Sequence, residues 1–326
     1  MRVTVLGGTG FIGRAISRRL LRRGHQVLLV HRGLAEPSEL GGAEHLHVNR
    51  ESLLDVRASL CSFSPDAVVD CYALTRADAA QAVAAFRGLP AVVLSSQDVY
   101  AAWSGFVTDT RVSDGPLSEN APLRKSRYLY AESAPPGVPR DYEKLDVEDA
   151  WKTYGATILR LPMVYGPYDR QCREGFVIRR IAAGRRRIPV GAANLKLSRA
   201  YVHDVAGAVE AALYAPAARG QTINIAEPEP YDIGSWIRQI AAGMDADLEL
   251  VRVEEDVLAP DLLLTATRSQ HVVADVTRAR ALLDWRPMSI DQKVARSTKW
   301  HLRHGTFVSW TAADDAIDDT ALAAAC

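Results

Sequence analysis

One short stretch limits the possible fold more than any other, the run VTVLGGTGFIG at residues 3–13. A short β-rich apolar run leads into glycines, and an amphipathic helix follows through Leu21 and stops at Gly24. The next run, QVLLV at 26–30, has the character of a buried strand. These segments predict a β-α-β unit, and glycines placed between its first strand and its helix are a strong signal for dinucleotide binding.

The glycines of this turn are expected to have different tasks. Gly7 permits the tight turn, and Gly10 lets a pyrophosphate approach the backbone. Gly13 lets the helix pack closely on the strand, and the amides at the helix N-terminus bind the phosphates. The other residues of the turn that we expect at the cofactor are Thr9, Phe11 and Ile12.

Further buried-type strands follow along the chain. The runs at 66–75 and 91–100 are two of them, and a helical segment at 77–86 separates them. Alternating strands and helices predict an α/β fold with a Rossmann-type, doubly wound parallel sheet. Ligands of such sheets bind at the carboxyl ends of the strands.

Several motifs together resemble the extended short-chain dehydrogenase/reductase family, which includes sugar-nucleotide epimerases, dehydratases and related reductases. They are the G-x-x-G-x-x-G spacing at 7–13, SSQDVY at 95–100, LRLPMVYGP at 159–167 and AYVHDVA at 200–206. The resemblance implies a Rossmann domain at 1–165, to which 198–225 return. It also implies a smaller substrate-binding portion at 166–197 and 226–305. We expect the tail, 306–326, to be a loosely held helix or disordered.

The end of the second strand indicates the type of cofactor. NAD-binding proteins usually have an acid there for the ribose, but this chain has His31 followed by Arg32. Arg32 could pair with a 2′-phosphate, so NADP is favoured over NAD. Asn49 and Arg50 stand where the family often has an aspartate that contacts adenine. Arg50 could stack on adenine, add to the phosphate site, or simply be exposed.

The resemblance also implies site residues at the strand ends. Ser96 matches the catalytic hydroxyl residue of the family, which would bind a substrate oxygen; the alternative is a serine that satisfies backbone at a strand end. Ala73 and Pro162 match cofactor contacts. The proline-rich and polar segment 104–138 reads as a long loop, which is either a lid or rim of the active site or an inert excursion.

The stretch PRDYEKLDVED at 139–149 carries an unusual tyrosine and lysine. In the family these two residues lie four apart, so that both occupy one helix face. If Lys144 binds the nicotinamide ribose, Glu148 is in register with the family and the tyrosine position falls on Arg140. Arginine does not deprotonate and cannot be a general acid.

The other register pairs Tyr142 with Asp146, whose charge would raise the phenol pKa. We therefore prefer Lys144 as the ribose-binding residue, in a helix that opens at about Arg140. Tyr142 reaches the site only if it lies before the first regular turn; otherwise it is a packing aromatic. Tyr165 is a second candidate phenol.

The substrate end is less defined. Arg199 takes the place nearest to the anion-binding arginine of the sugar-nucleotide enzymes, and Arg268 is a second candidate anion ligand. Asp204 is expected to be a helix N-cap.

Composition excludes some functions. The 39 basic residues balance the 39 acidic ones, which argues against nucleic acid as a partner. No segment has membrane-spanning length, and the four cysteines and eight histidines show no disulfide or zinc spacing. The sequence thus predicts a cytoplasmic protein without a metal, and the resemblance implies a homodimer.

The leading hypothesis is an NADP(H)-dependent oxidoreductase or epimerase. Its substrate would be a secondary alcohol or ketone of a small molecule, such as a sugar or sugar-nucleotide derivative. Ser96, Tyr142 and Lys144 would be the catalytic residues. The alternatives are a dinucleotide-binding protein without redox turnover, as a sensor or partner-binding protein, and non-redox chemistry in the same pocket that uses Asp98 or another carboxylate.

Overall fold

A seven-stranded parallel sheet with helices on both faces forms the larger part of the chain. The computed structural model describes residues 1–325. The strands are β1 (Arg2–Leu6), β2 (Gln26–His31), β3 (Glu44–His47), β4 (Ala67–Asp70), β5 (Ala91–Ser96), β6 (Thr157–Leu161), β7 (Met163–Tyr165), β8 (Arg187–Val190), β9 (Arg199–Tyr201), β10 (Thr222–Asn224) and β11 (Glu249–Arg252). The helices are α1 (Phe11–Arg22), α2 (Arg57–Ser62), α3 (Arg76–Ala85), α4 (Ala101–Thr108), α5 (Lys144–Lys152), α6 (Gly175–Ala182), α7 (Val202–Tyr214), α8 (Ile233–Gly243), α9 (Thr277–Leu283), α10 (Ile290–His304) and α11 (Ala312–Ala323).

The sheet has the strand order β3-β2-β1-β4-β5-β6-β10, with every neighbouring pair parallel. From β1 the chain adds β2 and β3 on one side of the sheet. It then returns to β4, on the other side of β1, and continues outward with β5, β6 and β10. Helices α1 and α7 pack together on one face, and α3 and α5 pack on the other. The prediction of an α/β fold with a doubly wound parallel sheet is confirmed. The reversal between β1 and β4 makes a crevice at their carboxyl ends, where ligands of such sheets bind.

The turn between β1 and α1 is as tight as its glycines allow. Gly7 has φ +77°, a conformation that residues with a side chain rarely adopt. A Cβ on Gly13 would lie 2.1 Å from the carbonyl oxygen of Gly7, so α1 could not pack against this turn with any larger residue there. Helix packing thus explains the third glycine of the motif.

A second hydrophobic core is formed mainly by the smaller portion of the chain. Helices α6, α8 and α10 surround it, together with the two-stranded parallel pair of β8 and β11. Strands β7 and β9 form a second short parallel pair. After β9 and α7 the chain returns to the large sheet, where β10 pairs with β6.

Two local expectations from the sequence were wrong. Segment 104–138 is not a loop from its start, because α4 continues to Thr108. Asp204 is not the N-cap of α7, since that position is Tyr201. The Asp204 carboxylate instead accepts hydrogen bonds from the Met288 backbone N (3.2 Å) and Lys293 Nζ (3.4 Å), and it thereby holds α10 to α7.

Within the tail, α11 (Ala312–Ala323) is a firmly attached helix, contrary to the expectation of a loose or disordered segment. The Arg180 guanidinium binds both carboxylate oxygens of Asp318 in α11, at 2.8 and 3.0 Å, and those of Asp261 at 2.9 Å each. Arg180 is 2% exposed and Asp318 is fully buried. Asp318, one of the acidic residues that suggest a loose tail, is thus the residue through which α11 binds Arg180.

We expect Arg180→Met to lower the free energy of unfolding by about 3 kcal/mol, because Asp318 would stay buried without its partner. Urea denaturation followed by circular dichroism measures the change. Arg187→Met is the matched control, since its pair with Glu249 is exposed on both sides, and it should cost less than about 0.5 kcal/mol. Equal losses in the two variants would contradict this account of the tail.

Candidate functional site

The N-terminus of α1 is open to an anion. Its N-cap, Gly10, makes no side-chain capping bond, and the first turn carries no acidic residue. A Cβ on Gly10 would meet nothing within 4 Å, so the space beside the backbone is free. Thr9, Phe11 and Ile12 are half-buried around this opening. Backbone amides beside free space at a helix N-terminus fit the diphosphate of a dinucleotide.

The end of β2 presents a basic rather than an acidic residue. Arg32 follows the strand and its side chain is exposed. Within residues 1–325 no carboxylate lies close enough to form an ion pair with Arg32. The guanidinium is therefore available to a ligand at the edge of the sheet.

Arg50 is neither exposed nor free. Its guanidinium binds the buried Asp70 carboxylate through two N–H groups, with Nη1 2.8 Å from Oδ1, and its Nε donates to the Asp78 carbonyl oxygen at 3.0 Å. Asp70 also accepts from Trp151 Nε1 at 3.2 Å. The simplest role for Arg50 is to join the short helical turn at 50–52 to β4, and its neighbour Asn49 is exposed. A contact of either residue with adenine stays a prediction.

Lys144 lies at the carboxyl edge of the sheet, with its Nζ 2.6 Å from the carbonyl oxygen of Ala73 and 3.1 Å from that of Leu94. Burial lowers the pKa of Lys144, and the charges of Asp98 and Asp70 oppose that effect. An ammonium group has three N–H donors. Two are used by carbonyl groups after β4 and in β5, so one remains for a ligand.

Tyr142 reaches the same region because α5 begins only at Lys144, not at about Arg140 as predicted. Pro139 and Tyr142 form a turn, with the Tyr142 N donating to the Pro139 O at 3.1 Å. The chain path is thus bent before the first regular turn, which is the condition that Tyr142 had to meet. Its hydroxyl donates to Asp98 Oδ2 at 2.6 Å, whereas the Arg140 side chain is exposed.

Asp98 is the hydrogen-bond partner of Tyr142, a role that the sequence did not assign to it. It is 7% exposed, and its Oδ1 is buried with no hydrogen-bond partner among the described residues. Burial raises the pKa of Asp98, although the Tyr142 bond and the Arg124 charge oppose the rise. Burial and the Asp98 charge raise the pKa of Tyr142 well above its ordinary value. The phenol and carboxyl can therefore hold and share a proton, with one acceptor atom left over.

Ser96 lies beside this pair. It ends β5, and its Oγ accepts a hydrogen bond from the Asp98 backbone N at 3.2 Å. A hydroxyl that accepts in this way keeps its own hydrogen free to donate. Both readings of Ser96 are thus compatible: it satisfies backbone at the strand end and still has a donor for a ligand oxygen.

A buried ion pair between Arg124 and Glu143 holds the surroundings of Tyr142. Both side chains are fully buried, and Arg124 Nη1 lies 3.0 Å from Glu143 Oε2. Arg124 Nε donates to the Asp98 carbonyl oxygen at 3.0 Å, and Glu143 caps α5 by accepting from the Leu145 N at 3.0 Å. The sequence offers no spacing signal for this pair, because the two residues come from a loop and a helix end.

The loop at 109–138 borders the site. Arg124 holds the loop to the site through its hydrogen bond with the Asp98 carbonyl oxygen. The centre of the Tyr130 ring lies 5.3 Å from the centre of the Tyr142 ring. These contacts fit a rim of the active site better than an inert excursion.

The segment after β6 supports the sheet rather than the proton site. Tyr165 is fully buried and its hydroxyl donates to Glu227 Oε1 at 2.8 Å. Glu148, in register after Lys144, forms a buried ion pair with Arg160, whose Nη2 lies 2.8 Å from its Oε2. Pro162, half-buried, joins β6 to β7.

The two predicted substrate arginines lie beside aromatic rings. Arg199 is fully buried, with its guanidinium 4.4 Å from the centre of the Trp236 ring and its Nη1 3.0 Å from the Tyr231 carbonyl oxygen. Its Nε and Nη2 have no partner among residues 1–325, and burial lowers its pKa to about 10. Arg268 is half-buried beside Phe106, at 5.7 Å. Arg199 thus retains two free donors for an anion or carbonyl group.

Two other features bear on chemistry and location. Cys61, Cys71 and Cys172 are free thiols, and Cys326 lies outside the described residues. In the part of the chain that the structure covers, no helix combines the length and apolar character needed to cross a bilayer.

Curated relatives of the chain include reductases. It is 28% identical to 3-diazoavenalumate denitrifying reductase of a Streptomyces species, over 88% of this chain and 96% of the relative. It is 31% identical to 2′-dehydrokanamycin reductase of Streptomyces kanamyceticus, over 71% and 63%. It is also 26% identical to the Arabidopsis thaliana chloroplast stem-loop binding protein of 41 kDa b, over 98% and 84%.

Solved structures share the fold. The dTDP-glucose 4,6-dehydratase of Bacillus anthracis, solved in complex with NAD, superimposes with a TM-score of 0.69. The alignment covers 94% of this chain and 98% of that one at 14% identity.

The sequence profile of the NAD dependent epimerase/dehydratase family matches residues 3–226, which is more than half of the chain. The profile spans the glycine turn, the sheet and the Ser96 to Lys144 region described above. The protein therefore belongs to the NAD dependent epimerase/dehydratase family of extended short-chain dehydrogenase/reductase enzymes.

Proposed function

We propose that this enzyme uses NADP(H) to reduce a carbonyl group of a small molecule to a secondary alcohol, or catalyses the reverse reaction. The observation that carries the proposal is the hydrogen bond between Tyr142 and Asp98 beside Lys144 at the carboxyl edge of the sheet. Such a reaction needs a cofactor cradle, a proton-transferring group and a donor for the substrate oxygen, and residues suited to each lie at this edge.

Lys144 positions the cofactor in this scheme. When bound, the nicotinamide supplies the hydride in reduction and accepts it in oxidation. Lys144 would hold the ribose of the cofactor with its third N–H, and the carbonyl groups of Ala73 and Leu94 fix the direction of its side chain. Its charge also lies near Asp98 and balances that carboxylate when it is ionised.

Tyr142 and Asp98 supply the proton. In reduction the Tyr142 hydroxyl gives its proton to the substrate oxygen, and the protonated Asp98 carboxyl returns a proton to the phenol. Ser96 donates its hydroxyl hydrogen to the same substrate oxygen. In oxidation each proton moves the other way: Tyr142 takes the proton of the substrate alcohol while the ionised Asp98 carboxylate accepts the phenol proton, so Asp98 acts as a base and not as a stabilising positive charge.

The preference for NADP rests on Arg32. An exposed guanidinium after β2, with no carboxylate beside it, supports binding of a 2′-phosphate through charge-assisted hydrogen bonds. Net reduction is the favoured direction because two of the curated relatives are named reductases. Arg199, with two free buried donors, is the proposed contact for a polar group of the substrate.

The direct test is to identify the nucleotide by mass spectrometry of the purified protein and to follow NADPH oxidation with a panel of ketones. The panel should contain keto sugars, keto aminosugars and aryl ketones. Turnover of any member with NADPH supports the proposal. A bound dinucleotide without turnover of any ketone would favour the alternative, a dinucleotide-binding protein without redox function.

Tyr142→Phe should lower kcat about 100-fold or more, because it removes the proton donor, and should leave the dissociation constant of NADPH unchanged. Stopped-flow kinetics and fluorescence titration measure the two quantities. Tyr154→Phe removes an exposed phenol near the end of α5 and serves as the control. Unchanged turnover in Tyr142→Phe, or in Lys144→Ala, would rule out this mechanism.

The pH dependence of kcat/KM should reveal the ionisation of Asp98. Because burial raises its pKa, and because reduction needs the protonated carboxyl, kcat/KM for reduction should fall as the pH rises through that raised pKa. Asp98→Asn should abolish this limb of the profile while also slowing the reaction. A profile with the same limb in wild type and Asp98→Asn would assign the ionisation to another group.

Arg32→Asp should shift the ratio of NADPH to NADH affinity at least about tenfold toward NADH, since it replaces an attractive charge by a repulsive one. Isothermal titration with both nucleotides measures the ratio. Arg219→Asp makes the same charge change just before β10, at the opposite edge of the sheet, and should leave the ratio unchanged. An unchanged ratio in Arg32→Asp would discard the NADP preference.

A further inference from the structure

Three histidines and a glutamate meet where β2 and β3 end. His31 and His47 are directly paired in the parallel register of these strands. His45 lies two residues before His47, so its side chain is on the same face of the sheet. Glu36 reaches this face from the connection between the two strands.

The donor atoms of the four residues form one compact group. One nitrogen of each imidazole and a carboxylate oxygen all lie within 4.8 Å of one another. His31 Nε2 is 2.8 Å from His45 Nδ1, and His45 Nδ1 is 3.9 Å from Glu36 Oε1. His47 Nε2 contacts the same carboxylate oxygen. A tetrahedral ion with bonds of about 2.0–2.1 Å separates its ligand atoms by about 3.3 Å, a value inside this range.

We propose that His31, Glu36, His45 and His47 bind a divalent transition-metal ion, for which zinc is the best match. Imidazole nitrogen with one carboxylate oxygen is a ligand set that zinc, cobalt and nickel accept, whereas magnesium and calcium prefer oxygen alone. The sequence suggested no metal site, because His31 is far from the other two histidines in the chain and only strand pairing joins them.

The hydrogen bonds around the cluster show how the ligands would be oriented. His45 Nε2 faces the Leu40 carbonyl oxygen at 3.4 Å, which directs its Nδ1 lone pair into the cluster. Such a bond from the second ring nitrogen to a carbonyl group is usual for metal-binding histidines. The Gly33 N donates to His31 Nδ1 at 3.1 Å, so His31 carries its proton on Nε2 without metal. Metal binding through Nε2 therefore requires the tautomer with its proton on Nδ1, and the bond from the Gly33 N is then given up.

The proposed metal site lies at the ends of β2 and β3 and does not include the proposed proton-transferring residues. Arg32 and Gly33 follow His31 directly, and a Cβ on Gly33 would lie 3.4 Å from the His47 ring. A bound cation would therefore add positive charge beside Arg32. It would also join the edge strand β3 to β2 through side chains as well as through the backbone ladder.

The test uses the full chain without an affinity tag, treated with a chelator and titrated with Co²⁺ and then with competing Zn²⁺. We expect one ion per chain and visible absorption bands of the intensity typical of tetrahedral cobalt. His45→Gln combined with His47→Gln should weaken Co²⁺ binding at least about 100-fold, because loss of even an outer contact of a ligand costs about 10–100-fold. Glu36→Gln, in an exposed connection, should weaken it without affecting folding.

The matched control is His271→Gln combined with His304→Gln, which also removes two imidazole groups, both exposed and outside the cluster. It should bind one ion with unchanged affinity. Circular dichroism melting of each variant verifies that it is folded. Absence of saturable binding in the wild type, or equal binding in the two double variants, would overturn the proposal.

Discussion

The buried ion pair between Arg124 and Glu143 is the interaction on which the candidate active site depends. Arg124 also binds the carbonyl group of Asp98, and Glu143 follows Tyr142 directly and caps α5. A single pair therefore fixes both partners of the hydrogen bond between Tyr142 and Asp98. A buried charge left without its partner costs about 3–5 kcal/mol. The loop that carries Arg124 is for this reason part of the framework of the candidate active site and not a dispensable connection.

The same arrangement positions Tyr142 and Lys144, which lie two residues apart and not four apart as the family resemblance led us to expect. Residues two positions apart on a regular helix point in nearly opposite directions. Tyr142 and Lys144 could therefore not share a face if α5 began before Tyr142. The turn from Pro139 to Tyr142 precedes the helix and brings the phenol back over the end of β5. The Lys144 ammonium group donates to two carbonyl groups at the carboxyl edge of the sheet. The phenol of Tyr142 forms its hydrogen bond with the Asp98 carboxyl group.

The sequence predicted the fold well and the site in part. Strand and helix patterns and the glycine turn depend on neighbours in the chain, so the parallel sheet and the cradle at Gly10 followed from them. The conditional prediction for Tyr142 identified the right variable, the start of the helix, but placed that start too early. Asp98, Arg124 and the histidine cluster depend on contacts between distant segments. No local pattern encodes which loop arginine meets which buried glutamate, or which strands pair in which register.

The contacts at Tyr142 also affect how this protein acquires its activity. Tyr142 and Asp98 are 44 residues apart in the chain, whereas the phosphate cradle is made by β1 and the helix that follows it. Contacts of long sequence separation form late in folding, because the entropy of loop closure must first be overcome. A chain that has formed β1 and α1 but not the contact between Tyr142 and Asp98 has the phosphate cradle and lacks the proposed proton-transferring pair. Turnover would therefore be a stricter measure of native structure than the cradle alone.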